Sequence, residues 1–256
     1  MPSRALLFSV KKIFYLLILL SWTHLAAAQH TELLGRAGLN FSRFVGSSVE
    51  NTSNINMYSF NGANYGYTNN PYGSHLGLGA GLGVRLLHES RFPLLFALDL
   101  GFDYQRARTD IARVGYYDDQ AQAYRSFAAD GHSYFKSKHA DLFAALGYRL
   151  RLGEYHLDLL AGPELAAVFG RREAGQGTYN NTQNWLTDVD RGGGVPFDAL
   201  LRADLTVWRG RAGLNASYAW GSVNYMGGLV GGGPHEAYDR SLRLGLVYRL
   251  SPGGAH

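Results

Sequence analysis

The chain has 256 residues, 33 of them Gly and none Cys, with 24 Lys and Arg against 20 Asp and Glu. The lack of Cys excludes disulfides, a lipid anchor through cysteine, and thiolate chemistry at a metal or substrate. Three of the basic residues, Arg4, Lys11 and Lys12, cluster near the start; without them the charge is close to balanced, so the basic isoelectric point is no argument for nucleic-acid binding.

Those three residues open a secretory pattern. A positive region precedes the apolar run 13–20, and Ala26, Ala27 and Ala28 supply a small-residue cleavage site just before Gln29. The run is too short for a spanning helix, and no later segment approaches the roughly 18 continuous apolar residues one needs. Residues 1–28 are expected to be a signal peptide, leaving 29–256 as a single mature domain.

From residue 33 onward, apolar side chains alternate with polar or tiny ones. A strand sends successive side chains to opposite faces, so sustained alternation means one apolar and one polar face. Eight such stretches follow in chain order: 33–45, 75–87, 92–106, 135–150, 155–169, 197–208, 211–223 and 240–250. Each reaches the roughly 9 to 11 residues that a tilted strand needs to cross a bilayer. In the second, Leu76, Leu78, Ala80, Leu82, Val84 and Leu86 alternate with Gly77, Gly79, Gly81, Gly83 and Arg85. In the last, Leu242, Leu244, Leu246, Tyr248 and Leu250 alternate with Ser241, Arg243, Gly245, Val247 and Arg249.

A soluble barrel of this size would have to fit its bulky set into a narrow interior. Here the opposite set is small or charged, which leaves the bulky set to face lipid. The pattern predicts an all-β fold, an eight-stranded antiparallel up-and-down transmembrane β-barrel. A soluble periplasmic carrier built from the same strands is disfavoured by those outward leucines.

The connectors alternate in length. Segments 88–91, 151–154 and 209–210 are short, whereas 46–74, 107–134, 170–196 and 224–239 are long. Short periplasmic turns opposite long extracellular loops are the outer-membrane arrangement. Rings on the outward set sit at both ends: Tyr148, Tyr155 and Tyr248 near the turns, and Phe41, Tyr104, Phe169, Phe197, Tyr218 and Trp220 near the loops. Amphipathic rings favour the headgroup level, so two aromatic girdles are expected.

The inward set carries Arg36, Arg85, Arg149, Arg202, Arg243 and Arg249 together with Asp99, Asp103, Asp141, Asp158, Glu164 and Asp204. Burying such charges unpaired costs several kcal/mol per ion. A structural salt-bridge network plugging the lumen is expected; a small-solute or ion pore is the alternative.

The long loops combine Tyr with Asn, Ser and Gly as binding surfaces often do. Tyr58, Tyr65, Tyr67 and Tyr72 in the first loop and Tyr116, Tyr117 and Tyr124 in the second form the candidate binding surface. Charges in the second loop, among them Arg106, Arg108, Asp110 and Arg113, suggest contacts to lipopolysaccharide or to a protein partner.

Signals for chemistry are weak by comparison. His139 faces inward, and the His132-Ser133 pair lies at the loop end of the fourth stretch, but no motif brings Ser, His and Asp together as a hydrolase needs. His75 and the pair His235-Glu236 lack the spacing of a metal site. The glycines of 77–81 open no helix after a strand, so they are no nucleotide loop. No catalytic, metal or cofactor residue is expected, and the function is read as non-enzymatic, binding or structural. The alternative is an outer-leaflet lipid-modifying enzyme of the lipid A deacylase or acyltransferase type. Expected partners are outer-membrane lipid and lipopolysaccharide, and an extracellular or envelope protein; nucleic acid is not among them.

Three strands carry a family resemblance. The first, Leu34-Gly-Arg-Ala-Gly-Leu-Asn-Phe-Ser-Arg-Phe44, the fifth with Ala161-Gly162-Pro163 at its centre, and the last, Arg240-Ser-Leu-Arg-Leu-Gly-Leu-Val-Tyr-Arg-Leu250, resemble strands of the PorT-like outer-membrane β-barrel family common in Bacteroidetes. The resemblance implies an eight-stranded barrel in the outer membrane and says little about activity.

Overall fold

The structure, a computed structural model, describes residues 30–60, 63–118, 122–192, 195–227 and 235–250. The expected signal peptide lies outside the described residues. The strands are β1 (His30–Val45), β2 (Thr52–Phe60), β3 (Ala63–Thr68), β4 (His75–Glu89), β5 (Leu94–Asp118), β6 (Ala123–Leu152), β7 (Tyr155–Tyr179), β8 (Gln183–Asp190), β9 (Phe197–Arg209), β10 (Ala212–Gly221) and β11 (Tyr238–Arg249).

Antiparallel ladders join β1 to β4, β4 to β5, β5 to β6, β6 to β7, β7 to β9, β9 to β10 and β10 to β11, and β11 returns to β1. Eight strands therefore close into an up-and-down barrel, and closure removes the free edges that an open sheet would expose. At one end the connections are tight. Gly153 and Gly210 take left-handed φ of 63° and 60° in the two-residue turns before β7 and β10, a conformation that such hairpins demand and that glycine adopts without strain.

The outward face is apolar around the whole circumference. Leu82, Leu214 and Leu246 are 64%, 65% and 65% exposed on three different strands, amid many other exposed Leu, Val and Phe. A continuous patch of that extent is stable only under another apolar phase, and here it forms the belt of a transmembrane barrel. Tyr148, Tyr155 and Tyr248 are exposed at its turn end, and Phe169, Phe197 and Trp220 at its loop end. At the loop end Tyr218 meets Trp220 edge to face with centroids 4.5 Å apart, and Phe102 lies 5.9 Å from Phe169.

The long connectors depart from expectation. Segments 107–134 and 170–196 are not simple loops, because β5, β6 and β7 run on far beyond the belt. Within 46–74 and 170–196 the additional strands β2, β3 and β8 form. β2 pairs β3 antiparallel and lies parallel to the upper part of β5, while β8 pairs the upper part of β7. A second rolled sheet of order β3-β2-β5-β6-β7-β8 thus stands on the barrel as a turret. The physical reason it escapes an alternation test is solvation. Outside the bilayer an outward side chain need not be apolar, so the contrast between faces fades.

Turret and barrel each have a core. Ile55, Ile111, Val114 and Trp185 cluster inside the turret. Leu34, Leu87, Leu95, Phe143, Leu160, Trp208 and Val247 cluster inside the barrel at its turn end. Between them the wall is adjusted by bulges: the β4–β5 register shifts between Leu76 and Ala80, and the β6–β7 register between Lys136 and Lys138. The latter coincides with Gly170, whose φ of 58° is left-handed, as expected where an extra residue re-aims a strand.

Candidate functional site

The lumen is filled in layers, and the glycines of β4 make room for them. A Cβ on Gly79 would lie 2.1 Å from Asn40 Oδ1, one on Gly81 1.8 Å from Asp103 Oδ1, and one on Gly83 2.9 Å from Arg36 Nε. Side chains from β1 and β5 occupy the volume these glycines vacate. Bare backbone on one wall is what lets several guanidinium groups fit across so narrow a barrel.

In the middle layer four guanidinium groups, Arg36, Arg85, Arg202 and Arg243, meet five carboxylates, Asp99, Asp103, Asp141, Glu164 and Asp204. Arg85 clamps Asp99 at 2.6 and 2.8 Å and Asp204 at 3.1 and 3.0 Å. Arg202, 0% exposed, reaches Glu164 at 3.0 Å and Asp204 at 2.5 Å, and its guanidinium carbon lies 4.3 Å from the Phe143 ring centroid. Arg243 joins Asp103 at 2.6 Å and both Glu164 oxygens at 3.1 and 2.8 Å. Arg36 is looser, 3.5 Å from Asp99. Paired geometry of this kind offsets the desolvation that would otherwise expel each ion.

A second layer guards the turn end. Arg149 clamps Asp158 at 2.6 and 2.8 Å and reaches Glu89 at 2.7 Å. Trp208 Nε1 donates to Asp158 at 2.7 Å, and Arg249 lies over the Trp208 ring at 4.5 Å while bonding Glu32 at 3.1 Å. All the inward Arg, Asp and Glu singled out from sequence lie in these two layers. Sequence reasoning did not find the apolar layer that separates them. Its signal was parity: Trp208 shares the inward register of Arg202, Asp204 and Thr206.

Toward the loops the lumen closes again on rings. Phe44 packs edge to face on Tyr72 and Tyr225, with centroids 4.9 and 5.1 Å away, and lies 5.7 Å from Phe135. Tyr72 is therefore part of the plug, half-buried, and not of a surface patch as the loop composition suggested. Its partners come from three distant segments, which no local pattern reveals. Burial raises the phenol pKa of both Tyr72 and Tyr225, so each ring stays neutral in the plug.

Below the plug, Ser137 Oγ and His139 Nε2 are 2.9 Å apart, both buried. The pair has the contact a nucleophilic serine requires, yet it lies sealed between the aromatic layer and the charge layer. His132 and Ser133 fall on opposite faces of β6; Ser133 is buried beside Glu173 at 3.4 Å. Among the described residues no group of His, Asp and Glu is arranged to hold a metal ion. A cavity of about 30 Å³, room for a water, lies in the wall between the lumen side chains Arg36, Asn40, Asp103, Asn215 and Arg243 and the outward Leu39, Leu82, Leu244 and Leu246.

The turret carries the exposed tyrosines. Tyr117 and Tyr124 are cross-strand partners, 54% and 61% exposed, and Tyr124 donates to Asn56 Oδ1 at 3.1 Å. Tyr116 is half-buried and stacks on Phe127 with centroids 6.0 Å apart. Tyr67 is exposed, with the Arg191 guanidinium 5.8 Å from its ring centroid. Tyr58 and Tyr65 are register partners of the β2–β3 hairpin; their side chains lie outside the described residues. Among the described residues the β3–β8 seam has no ladder and is fastened by side chains. Thr187 Oγ1 donates to the Gly66 carbonyl at 2.6 Å, Thr68 N donates to Glu173 Oε1 at 3.0 Å, and Arg191 joins Glu173 to the Thr68 carbonyl. Glu173 is fully buried at this node and was not singled out from sequence.

No protein-family model matches the chain, and no curated protein matches it. Solved structures do. Ail, the attachment invasion locus protein of Yersinia pestis, solved with the heparin analogue sucrose octasulfate, is 13% identical over 87% of this chain and 100% of its own, with a TM-score of 0.38. Neisserial surface protein A is 10% identical over 87% of this chain and 100% of its own, with a TM-score of 0.36. The translocator domain of the autotransporter NalP from Neisseria meningitidis is 10% identical over 94% and 98%, with a TM-score of 0.24.

Proposed function

We propose that the protein is a non-enzymatic outer-membrane barrel that anchors a binding turret at the cell surface, with lipopolysaccharide and an extracellular or envelope protein as its partners. The observation that carries this reading is the continuity of the wall. The same strands that cross the belt run on to form a closed turret with its own core, while the lumen beneath is blocked by aromatic, charged and apolar layers. A barrel built this way spends its length on display. In this reading it offers no solute path through the described residues and gives a substrate no access to Ser137 or His139.

An amino-terminal signal peptide over residues 1–28 delivers the chain to the periplasm in this reading, and the short turns face inward. Kinship with the PorT-like barrels rests on the motifs of β1, β7 and β11. The reading is tested on membrane fractions and on purified protein. An outer-membrane band that shifts on boiling, external protease cutting in the turret only, and flat planar-bilayer recordings are expected. Discrete sustained conductance would overturn the blocked lumen, and an acyl-chain difference in lipid A between cells with and without the gene would establish an enzyme instead.

A further inference from the structure

Just above the loop-end girdle, the outward face of β5, β6 and β7 carries a row of cations in direct register. Arg106 is the cross-strand partner of Lys136, and Lys136 is the partner of Arg172. One row below, Lys138 sits between Tyr104 and Phe169 of the girdle. Like charges placed directly opposite on a ladder destabilise it unless a counterion lies between them. Two of the neighbouring cations have one: Asp188 takes Arg172, and Asp110 accepts from Arg108 at 2.9 Å. Arg106, Lys136 and Lys138 make no ion pair among the described residues, Asp188 reaching Lys136 only as a more distant charge, and Arg106 Nε is buried without a partner.

The site is built, not incidental. Arg106 lies over the Tyr134 ring, its guanidinium carbon 4.0 Å from the centroid, which holds the side chain against the wall. The Gly170 bulge shifts the β6–β7 register so that Arg172 comes opposite Lys136. Adjacent strands are about 4.8 Å apart and successive outward residues of one strand about 7 Å apart, so Arg106, Lys136 and Lys138 form a compact triangle, and the aromatic girdle puts it at headgroup height.

We propose that Arg106, Lys136 and Lys138 form a binding site for the phosphate groups of an outer-leaflet glycolipid, the lipopolysaccharide class, whose acyl chains lie on the apolar belt below. This rests on the outer-membrane reading above. It goes further in assigning the lipid contact to one face, three side chains and one chemical group.

The test uses the folded full-length mature barrel in detergent, titrated by thermophoresis with purified lipopolysaccharide, the same lipopolysaccharide after dephosphorylation, and inorganic phosphate. R106Q/K136Q/K138Q should bind lipopolysaccharide at least about tenfold more weakly than the parent, and dephosphorylation should weaken the parent to the same degree. Inorganic phosphate should not compete. Equal binding by a variant that still shifts on boiling, or indifference to dephosphorylation, would overturn the proposal, and competition by inorganic phosphate would make this a free-anion site. Should the triple variant not fold, K138E alone is expected to lose about fivefold or more. Fractionation separates the two readings: absence from the outer membrane would sink the anchoring function, whereas correct location without phosphate dependence would sink only this site.

Discussion

Arg85 and Asp99 face each other across the β4–β5 ladder and join through two parallel contacts of 2.6 and 2.8 Å, while the same guanidinium takes Asp204 of β9 at 3.0 and 3.1 Å. β4 and β9 are not neighbours in the sheet, so this one side chain ties opposite walls of the barrel together. Removing it leaves two carboxylates in a buried layer. Arg85→Met is expected to lower stability by ~3–5 kcal/mol, read as the urea midpoint of the detergent-folded barrel. A loss below about 1 kcal/mol, the scale of an exposed pair, would mean that water has replaced the network.

The carboxylates of that layer are unequal. Asp103 receives Arg243 Nε at 2.6 Å, whereas Asp141 comes no nearer than 3.8 Å to Arg243 and no donor reaches either of its oxygens. With five acids facing four guanidinium groups, Asp141 is the surplus one. Asp141→Asn should leave the unfolding midpoint unchanged or raise it, while Asp103→Asn should lower it by ~1.5–3 kcal/mol as a charge-assisted bond is lost. The reverse order in a side-by-side urea titration would refute this assignment.

The charged lumen is legible in the sequence and the turret is not, for a physical reason. A bilayer demands apolar side chains on the outward face, so the inward parity of Arg85, Asp99 and Arg202 stands out by contrast with Leu82, Leu100 and Leu201. Above the membrane both faces meet water. There Arg108, Asp110 and Arg172 on the outside break the contrast, and β5, β6 and β7 look as though they end where they only leave the lipid. Tyr72 illustrates a second limit. Its chemistry suits a surface, and only packing against Phe44, Phe135 and Tyr225 decides otherwise. The apolar layer around Trp208 obeys the same inward parity, but the charged lumen residues on the same strands dominate the pattern.

The glycines of β4 should not be interchangeable with alanine. At Gly79 a Cβ would meet the Tyr104 carbonyl at 2.0 Å, a backbone atom that cannot yield without disturbing the ladder. At Gly83 the nearest atoms are the Leu100 carbonyl at 2.6 Å and the long side chain of Arg36 at 2.9 Å, a less severe conflict. Gly79→Ala is therefore expected to reduce the folded, heat-shifted band sharply, and Gly83→Ala to cost ~1–3 kcal/mol as overpacking usually does. Normal folding of both would mean that the β4 wall is wider than its packing implies.

Trp185 offers a way to separate turret from barrel. It is buried against Ile55, Ile111 and Val114, its Nε1 donates to the Asp130 carbonyl at 3.1 Å, and none of these residues belongs to the barrel core around Trp208. Trp185→Ala opens a cavity worth ~3–5 kcal/mol in the turret alone. The β3–β8 seam has no backbone ladder to absorb that loss, since Thr187, Glu173 and Arg191 fasten it with side chains. External protease should then cut rapidly within 110–135 and 171–190, while the remaining barrel still shifts on boiling. If the heat-shifted band vanishes together with the turret, the two compartments fold as one unit, and the belt is not an independent anchor.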